Sequence, residues 1–265
     1  MLTVSSVSLA GGQGKSTIVL FLARLLAGRG KPILVVDADP QSSLTTFLGF
    51  QVEPDSPTLL EVLKKQVNTK DGIYETKYEN LYLIPSDDAL DTVQDFLAGS
   101  GTGALTLKRR LKSVDSLFEY CLVDAPPQRS QICLTVIGAS DGLIIPVEAS
   151  VKGLQSLIRT LELVGDLKEE DDTFGGTILG IVPFRDRWVG LRRTNESQSN
   201  IESMQQVCQD WLGQNLVLPS IRESEKFKQA INKGSTLHEM GQKDLAYPIE
   251  VIAEKMTLLN TKVEE

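Results

Sequence analysis

The chain has 265 residues, a formal net charge of −8 at pH 7, and 41% hydrophobic residues, of which few are aromatic. This length and composition predict a soluble globular protein with an aliphatic core and exclude the disordered and fibrous classes. The negative charge repels nucleic acid and anionic lipid at long range, so any DNA binding requires a local basic surface.

The first elements of the chain are predicted to be a strand, a glycine-rich turn and a helix. Residues 3–9 form a short buried strand in this prediction, and residues 16–26 have the aliphatic spacing of a buried helix. The next apolar run, residues 32–36, ends in Asp37 and Asp39. Because the carboxyl ends of parallel strands line the ligand crevice of open α/β sheets, we expect these two acids to face the turn.

The rest of the chain continues the alternation of strands and helices. Ser56 and Pro57 are predicted to be the N-cap and first position of a helix that runs to about Lys65. Further strands are predicted at residues 81–85, 118–123, 142–147 and 177–182, and further helices at residues 104–111, 152–164 and from Pro248 onward. The alternation indicates the α/β class, with a doubly wound, mostly parallel sheet flanked by helices. We expect residues 1–265 to form one domain.

A loop with the chemistry of a phosphate site lies between the first strand and the first helix. Its sequence is Ala10-Gly11-Gly12-Gln13-Gly14-Lys15-Ser16-Thr17, with Leu9 where the strict phosphate-loop pattern requires glycine. The glycines allow backbone N–H groups to turn inward around a phosphate, at a helix N-terminus that adds a partial positive charge. We expect Lys15 to reach the β- and γ-phosphate oxygens and Ser16 to ligate Mg²⁺.

The loop resembles the deviant phosphate loop of the ParA/MinD family of ATPases, whose pattern is Lys-Gly-Gly-x-Gly-Lys-Ser/Thr. The resemblance implies a P-loop fold that binds ATP and Mg²⁺ through Gly11 to Thr17, hydrolyses ATP, and forms a homodimer when ATP is bound. One residue departs from the pattern. The family's signature lysine, which reaches the nucleotide of the partner subunit, falls on Ala10.

Two further motifs extend the resemblance over nearly the whole chain. Residues 35–41 resemble the family's second motif, which implies that Asp39 positions the attacking water and that Asp37 lies near the magnesium shell. Residues 122–127 resemble the Walker B strand and switch, which implies that Asp124 contacts Mg²⁺ through water. The candidate walls of the adenine pocket are Pro183, Phe184 and Pro219.

The sequence lacks the signature lysine but retains the other motif residues. In this respect it resembles the McdA type of this family, the ATPases that distribute carboxysomes along the nucleoid. In that type a lysine from another part of the chain is thought to replace the missing one. The candidate here is Lys152, at the start of a predicted helix. The alternative interpretation is an ordinary solvated lysine. The implied catalytic residues are Lys15, Asp39 and Lys152.

One segment has more basic than acidic residues, although the chain as a whole has a negative net charge. Between Arg185 and Lys233, eight basic residues outnumber six acidic ones. Such a surface could contact DNA phosphates without reading bases, which gives weak and salt-sensitive binding. A charge run is more often a solvated surface, but the family resemblance favours DNA. The candidate DNA-binding residues are Arg187, Arg192, Arg193, Arg222, Lys226 and Lys228.

Several other chemistries find little support in the sequence. The odd number of cysteines, three, argues against a disulfide framework, and their wide spacing argues against a paired metal motif. A Ser-His-Asp triad would have to include His238, the only histidine, and no nucleophile elbow is present. No apolar run approaches the roughly 20 residues that a membrane span needs. The cysteine pattern favours a reducing cytoplasm.

Four functions compatible with the fold remain open at this point. The favoured one is a cytoplasmic, nucleoid-associated switch that positions a large cargo through an adaptor, which also stimulates hydrolysis. The others are a plasmid or chromosome partition ATPase, a MinD-like membrane switch, and a metabolic enzyme such as a ligase similar to dethiobiotin synthetase or an iron-sulfur reductase component. The tail from Pro248 has acids opposite its apolar side, which counts against a membrane-surface helix. We expect it to be a docking helix.

Overall fold

Buried apolar runs form the strands of a central sheet in the computed structural model, which describes residues 1–169 and 173–264, without the side chains of 262–264. The strands are β1 (Leu2–Ser6), β2 (Ile33–Asp37), β3 (Tyr74–Glu75), β4 (Leu81–Ile84), β5 (Tyr120–Asp124), β6 (Gly142–Glu148), β7 (Thr177–Asp186), β8 (Trp188–Val189), β9 (Arg192–Arg193) and β10 (Ile221–Arg222). The central strands β1, β2 and β5 are buried along their whole length, because helices cover both faces of the sheet.

The sheet has eight strands within the described residues, in the order β10-β7-β6-β1-β5-β2-β4-β3. Neighbouring strands of this sheet are parallel, except for the antiparallel pair β3 and β4. The strands β8 and β9 form a separate antiparallel hairpin. This topology confirms the predicted doubly wound, mostly parallel sheet. The carboxyl ends of β1, β5 and β2 lie side by side, with Ser6 in register with Asp124 and Asp124 in register with Asp37.

Helices pack on both faces of the sheet. They are α1 (Lys15–Gly28), α2 (Ser43–Phe47), α3 (Leu59–Lys64), α4 (Gln94–Gly99), α5 (Thr106–Leu111), α6 (Gln131–Ala139), α7 (Val151–Glu169), α8 (Asn195–Leu212), α9 (Glu225–Lys233) and α10 (Lys243–Glu264). Alternate residues of β2 show the two layers: Val35 belongs to the apolar cluster that contains α1 and α10, and Val36 to the cluster that contains α6. The alternation follows from the two-residue period of a strand.

The C-terminal helix docks on the body of the protein, as the sequence predicts. Ile249, Ile252 and Met256 are buried in the same apolar cluster as α1. The helix begins at Lys243, so Pro248 lies inside its second turn rather than at its start. Within the described residues, no helix is both long enough and apolar enough to cross a membrane.

Some element boundaries differ from the sequence prediction. Helix α3 begins after Thr58, and Ser56 is not its cap: the Leu60 N–H donates to the Thr58 hydroxyl, and Glu61 reaches back to the Thr58 N–H at 2.8 Å. This reciprocal capping box satisfies two N–H groups, which a cap at Ser56 would not do. The helix expected at residues 104–111 consists of a 3₁₀ turn, Gly103–Leu105, followed by α5.

Candidate nucleotide and metal site

The phosphate loop is held in a conformation that requires glycine. Gly12 and Gly14 have φ angles of 78° and 97°, which residues with a side chain rarely adopt. A Cβ atom on Gly14 would also lie 2.6 Å from the ring of Phe184. Conformation and packing therefore both fix glycine at position 14, directly before the N-terminus of α1.

Lys15 is a buried cation at the start of α1. Its side chain is 6% exposed, and its Nζ donates a hydrogen bond to the Ala10 carbonyl at 3.1 Å. Burial lowers the pKa of Lys15, and the carboxylates of Asp124 and Asp39 oppose that shift. The ammonium is thus held at the loop by a backbone carbonyl, in the electrostatic field of two acids, and an arriving phosphate could replace the carbonyl as its partner.

Two carboxylates lie beside the loop at the ends of β2 and β5. Asp37 and Asp124 are in register on neighbouring strands and are fully buried. Asp37 accepts hydrogen bonds from the N–H and hydroxyl of Thr45, both at 2.8 Å, whereas neither oxygen of Asp124 has a hydrogen-bond partner among the described residues. Burial raises the pKa of Asp37 to about 6. Burial first, and the charge of Asp37 second, raise the pKa of Asp124 well above its ordinary value.

This pair of carboxylates fits a divalent cation. A buried carboxylate without a partner is unfavourable, and a cation bound nearby would offset the cost. The neighbouring Ser16 hydroxyl acts on Asp124 in the direction that lowers its pKa, and Mg²⁺ prefers hard oxygen ligands such as these two groups. The described residues contain no cluster of three or more His, Cys, Asp or Glu side chains able to hold a metal. A Mg²⁺ ion here would therefore need further oxygens from water and from a phosphate.

An open cavity of about 580 Å³ extends from the phosphate loop toward β10 and α9. This volume is in the usual range for small-molecule sites, about 300–1,000 Å³. All loop residues from Gly11 to Thr17 line it. Outside the loop, the lining includes Asp39, Phe184, Arg185, Arg222, Ser224, Phe227 and Lys228.

Two of the three candidate adenine-wall residues do not line this cavity. Phe184 lines the cavity, but Pro183 and Pro219 are not among its lining residues. Pro183 is buried in β7, in register with Val147 of β6, and Pro219 is half-buried before β10. Sequence reasoning missed the walls formed by residues 222–231 and by Arg185, because only the folded sheet brings β7 and β10 beside the loop.

Lys152 lies outside the cavity of its own subunit. It is exposed on the first turn of α7 and does not line the cavity. The phosphate loop is nevertheless tied to this region, because the Glu148 N–H donates to the Gln13 side-chain oxygen at 2.7 Å. Lys152 therefore follows shortly after Glu148, a residue that contacts the phosphate loop, and its side chain is exposed to solvent.

The candidate DNA-binding residues have two kinds of surroundings. Arg193 is tied to the buried Asp186 at 2.9 Å, and Arg222 stacks 3.8 Å from the centre of the Trp188 ring. These two residues hold the β8–β9 hairpin on the sheet. The other four lie in more exposed surroundings. Arg187 forms an exposed ion pair with Glu223, and Lys228 forms one with Glu225. Lys226 donates a hydrogen bond to Gln229, and Arg192 is exposed on β9.

Several known proteins are similar to this chain in sequence, in structure or in both. Residues 1–172 match a family described as an AAA domain. The chain is 54% identical over 256 residues to the maintenance of carboxysome distribution protein A (McdA) of Synechococcus elongatus, which covers 97% of this chain and 99% of that protein. The structure of a Cyanothece McdA variant in complex with ATP is 47% identical, with a TM-score of 0.92 over 97% of this chain and 96% of that one. The sporulation initiation inhibitor protein Soj of Bacillus subtilis is 29% identical over 218 residues, 81% of this chain and 83% of that protein.

The unpartnered carboxylate predicts an unusual effect on stability. Replacing Asp124 with Asn removes a buried charge beside Asp37, so we expect D124N to raise the thermal midpoint of the nucleotide-free protein by about 2–4 °C at pH 8. The gain should be smaller at pH 6. The pKa of this carboxyl is raised in the folded state, so keeping it ionised costs folding free energy, and that cost grows as the pH rises from the unfolded-state pKa through the folded-state pKa. At pH 6 less of this cost is present, so its removal by Asn gains less. Differential scanning calorimetry measures both midpoints.

Asp186 provides a matched control for this experiment. It is equally buried, but its oxygens accept hydrogen bonds from Arg193, Trp188 and Ser220. D186N should therefore lower the thermal midpoint. A loss of stability in D124N comparable to that in D186N would contradict the interpretation of Asp124 as a group that lacks its partner.

Proposed function

This chain belongs to the ParA/MinD family of ATPases and to its McdA type, and we propose on that basis that it is an ATP-operated switch that positions carboxysomes along the nucleoid. In this proposal, residues 1–265 act as one cytoplasmic, nucleoid-associated domain that binds and hydrolyses ATP with Mg²⁺. The ATP-bound chain forms a homodimer, holds DNA without sequence preference, and meets an adaptor protein that stimulates hydrolysis and links it to the cargo.

The observation that carries the proposal is the meeting of three features at one end of the sheet. A glycine-dependent loop ends at a helix N-terminus, a buried lysine is held by a replaceable carbonyl, and a buried carboxylate lacks a partner. Each has an ordinary structural explanation alone. Together they are the parts that phosphoryl transfer requires, namely an anion cradle, a charge clamp and a metal ligand.

The chain's own groups divide the work of hydrolysis. The loop N–H groups and Lys15 bind the β- and γ-phosphates, and Ser16 and Asp124 hold the metal shell beside them. Asp39 lies on the cavity wall, where the Gln41 N–H donates to its Oδ1 at 3.0 Å and fixes the carboxylate. That carboxylate orients the attacking water toward the γ-phosphate. A bound Mg²⁺ ion supplies charge neutralisation on the phosphate oxygens.

Two substitutions separate ATP binding from ATP hydrolysis. K15A should abolish detectable ATP binding in a calorimetric titration with Mg²⁺, because it removes the buried cation at the loop. D39A should bind ATP near normally and release phosphate at least about 100-fold more slowly, in line with losing a group that acts on the reacting water. Wild-type turnover in D39A would remove Asp39 from the mechanism, and wild-type affinity in K15A would refute the nucleotide site.

We further propose that Lys152 replaces the signature lysine across an ATP-bound dimer. Alanine at position 10 cannot contact a phosphate, and two triphosphates that face each other need positive charge beyond Lys15. Lys152 is exposed next to the β6 end that Gln13 ties to the loop, so a second subunit can meet it. Its position outside the cavity of its own subunit agrees with action on the partner's nucleotide.

Dimerisation tests this assignment. K152A should keep ATP binding by the isolated subunit and lose ATP-dependent dimerisation, measured by light scattering with ATP and Mg²⁺. Lys112 is an exposed lysine outside the cavity lining, so K112A is a matched control that should dimerise normally. Restoring lysine at position 10 in K152A should recover part of the dimer. A wild-type dimer fraction in K152A would rule out this role.

The DNA-binding part of the proposal rests on the exposed basic residues of the 185–233 segment. Arg192 is the informative position, because charge reversal at Arg193 would break its ion pair with the buried Asp186 and disturb the hairpin. R192E should weaken ATP-dependent retention of nonspecific DNA and lower the slope of log affinity against log salt by about one. K112E makes the same change of net charge elsewhere and should bind as wild type does. Equal retention by R192E and K112E would contradict a basic DNA-binding surface here.

A further inference from the structure

Arg185 has an unusual backbone conformation at the edge of the nucleotide cavity. It follows Phe184 near the end of β7 and has a φ of 54°, a left-handed conformation that residues other than glycine, Asn and Asp seldom adopt. Strain of this kind concentrates at functional sites, where the surrounding structure imposes it. The residue lines the cavity, and its side chain remains 47% exposed.

The guanidinium of Arg185 lies over the phosphate loop. Its Nη1 is 3.8 Å from the point where a Cβ on Gly12 would stand. The same nitrogen is 3.6 Å from Oε1 of Glu148, an ion pair longer than a hydrogen bond. The guanidinium also lies 5.9 Å from the centre of the Phe184 ring, which takes none of its N–H donors. An arginine has five N–H donors in a planar fork, so the long contact with Glu148 leaves donors available to a ligand above the loop.

Arg222, the other arginine on the cavity wall, is more firmly engaged within the protein, whereas Lys228 forms only an exposed surface pair. Arg222 stacks 3.8 Å from the Trp188 ring centre, and Lys228 donates to Glu225 at 3.0 Å. Arg185 is instead held by Glu148 across a longer distance. Of the two arginines on this wall, it is therefore the one that a phosphate group can recruit at the lower cost in lost contacts.

We propose that Arg185 binds the phosphate chain of the nucleotide in its own subunit. This inference rests on the proposed ATPase function and adds to it a second cation beside Lys15, where Ala10 contributes none. The planar fork suits phosphate oxygens, which it binds in a bidentate manner. The role is distinct from that of Lys152: Arg185 acts within one subunit before any dimer forms, and it exchanges Glu148 for the phosphate.

Binding of ATPγS to the full-length protein with Mg²⁺ tests the proposal, with calorimetry as the readout. R185Q should raise the Kd about tenfold, the loss expected for one charge-assisted contact. R185K should give an intermediate Kd, because it keeps the charge and loses the fork. Arginine, glutamine and lysine all bear the same cost of a left-handed backbone, so differences among them report the head group.

Arg29 provides the matched control. It is exposed at the opposite end of α1 from the phosphate loop, and R29Q makes the same change of net charge as R185Q. R29Q should bind ATPγS as wild type does. A wild-type Kd in R185Q, or an equal loss in R29Q and R185Q, would overturn the proposal. If the wild-type protein does not bind ATPγS, the proposed ATPase function is itself wrong.

A second variant keeps the test decisive if R185Q does not fold. E148Q removes the carboxylate that competes with the phosphate for Arg185, while the Glu148 backbone N–H keeps its bond to Gln13. E148Q should therefore bind ATPγS more tightly than wild type. Unchanged or weaker binding in E148Q would overturn the proposed exchange of partners.

Discussion

The site depends on one constraint, the burial of two carboxylates side by side at the ends of parallel strands. The register of β2 and β5 brings Asp37 and Asp124 together, and the helices on both faces exclude water from them. Thr45 compensates Asp37, but no described hydrogen-bond partner compensates Asp124. The protein without ligands is thus less stable than it could be, and in our proposal the binding of a cation and a nucleotide recovers that stability.

The same constraint explains how positive charge is distributed around the loop. Lys15 is bonded to a carbonyl and lies in the field of two acids, so in our account this one lysine does not balance a triphosphate by itself. The family's usual second cation is missing at Ala10. In our account its work is shared between Arg185, which reaches over the loop from β7, and Lys152, which faces a second subunit. In this account the missing signature lysine is replaced by two basic residues, one at the end of β7 and one just after β6.

The sequence predicts the parts of this site that depend on local order. Contiguous apolar runs identify β2, β5 and β6, and the acids that end the first two follow directly from the pattern. The remaining parts depend on contacts between distant segments. The cap of α3 at Thr58 is decided by Glu61 three residues later, and the cavity walls come from β7 and from residues 222–231, which meet only across the folded sheet. Pro183, a candidate wall residue, is buried in β7 in register with Val147 and does not line the cavity, whereas its neighbour Phe184 does.

The central claim is that the buried carboxylates and the phosphate loop form one site for a metal–nucleotide complex. Thermal denaturation of the wild-type protein with Mg²⁺ alone, with ATPγS alone in the presence of EDTA, and with both together tests it most directly. The account predicts that the rise in the midpoint with both ligands exceeds the sum of the two separate rises, because each ligand supplies oxygen or charge that the other needs. Additive rises, or no rise with both, would contradict it.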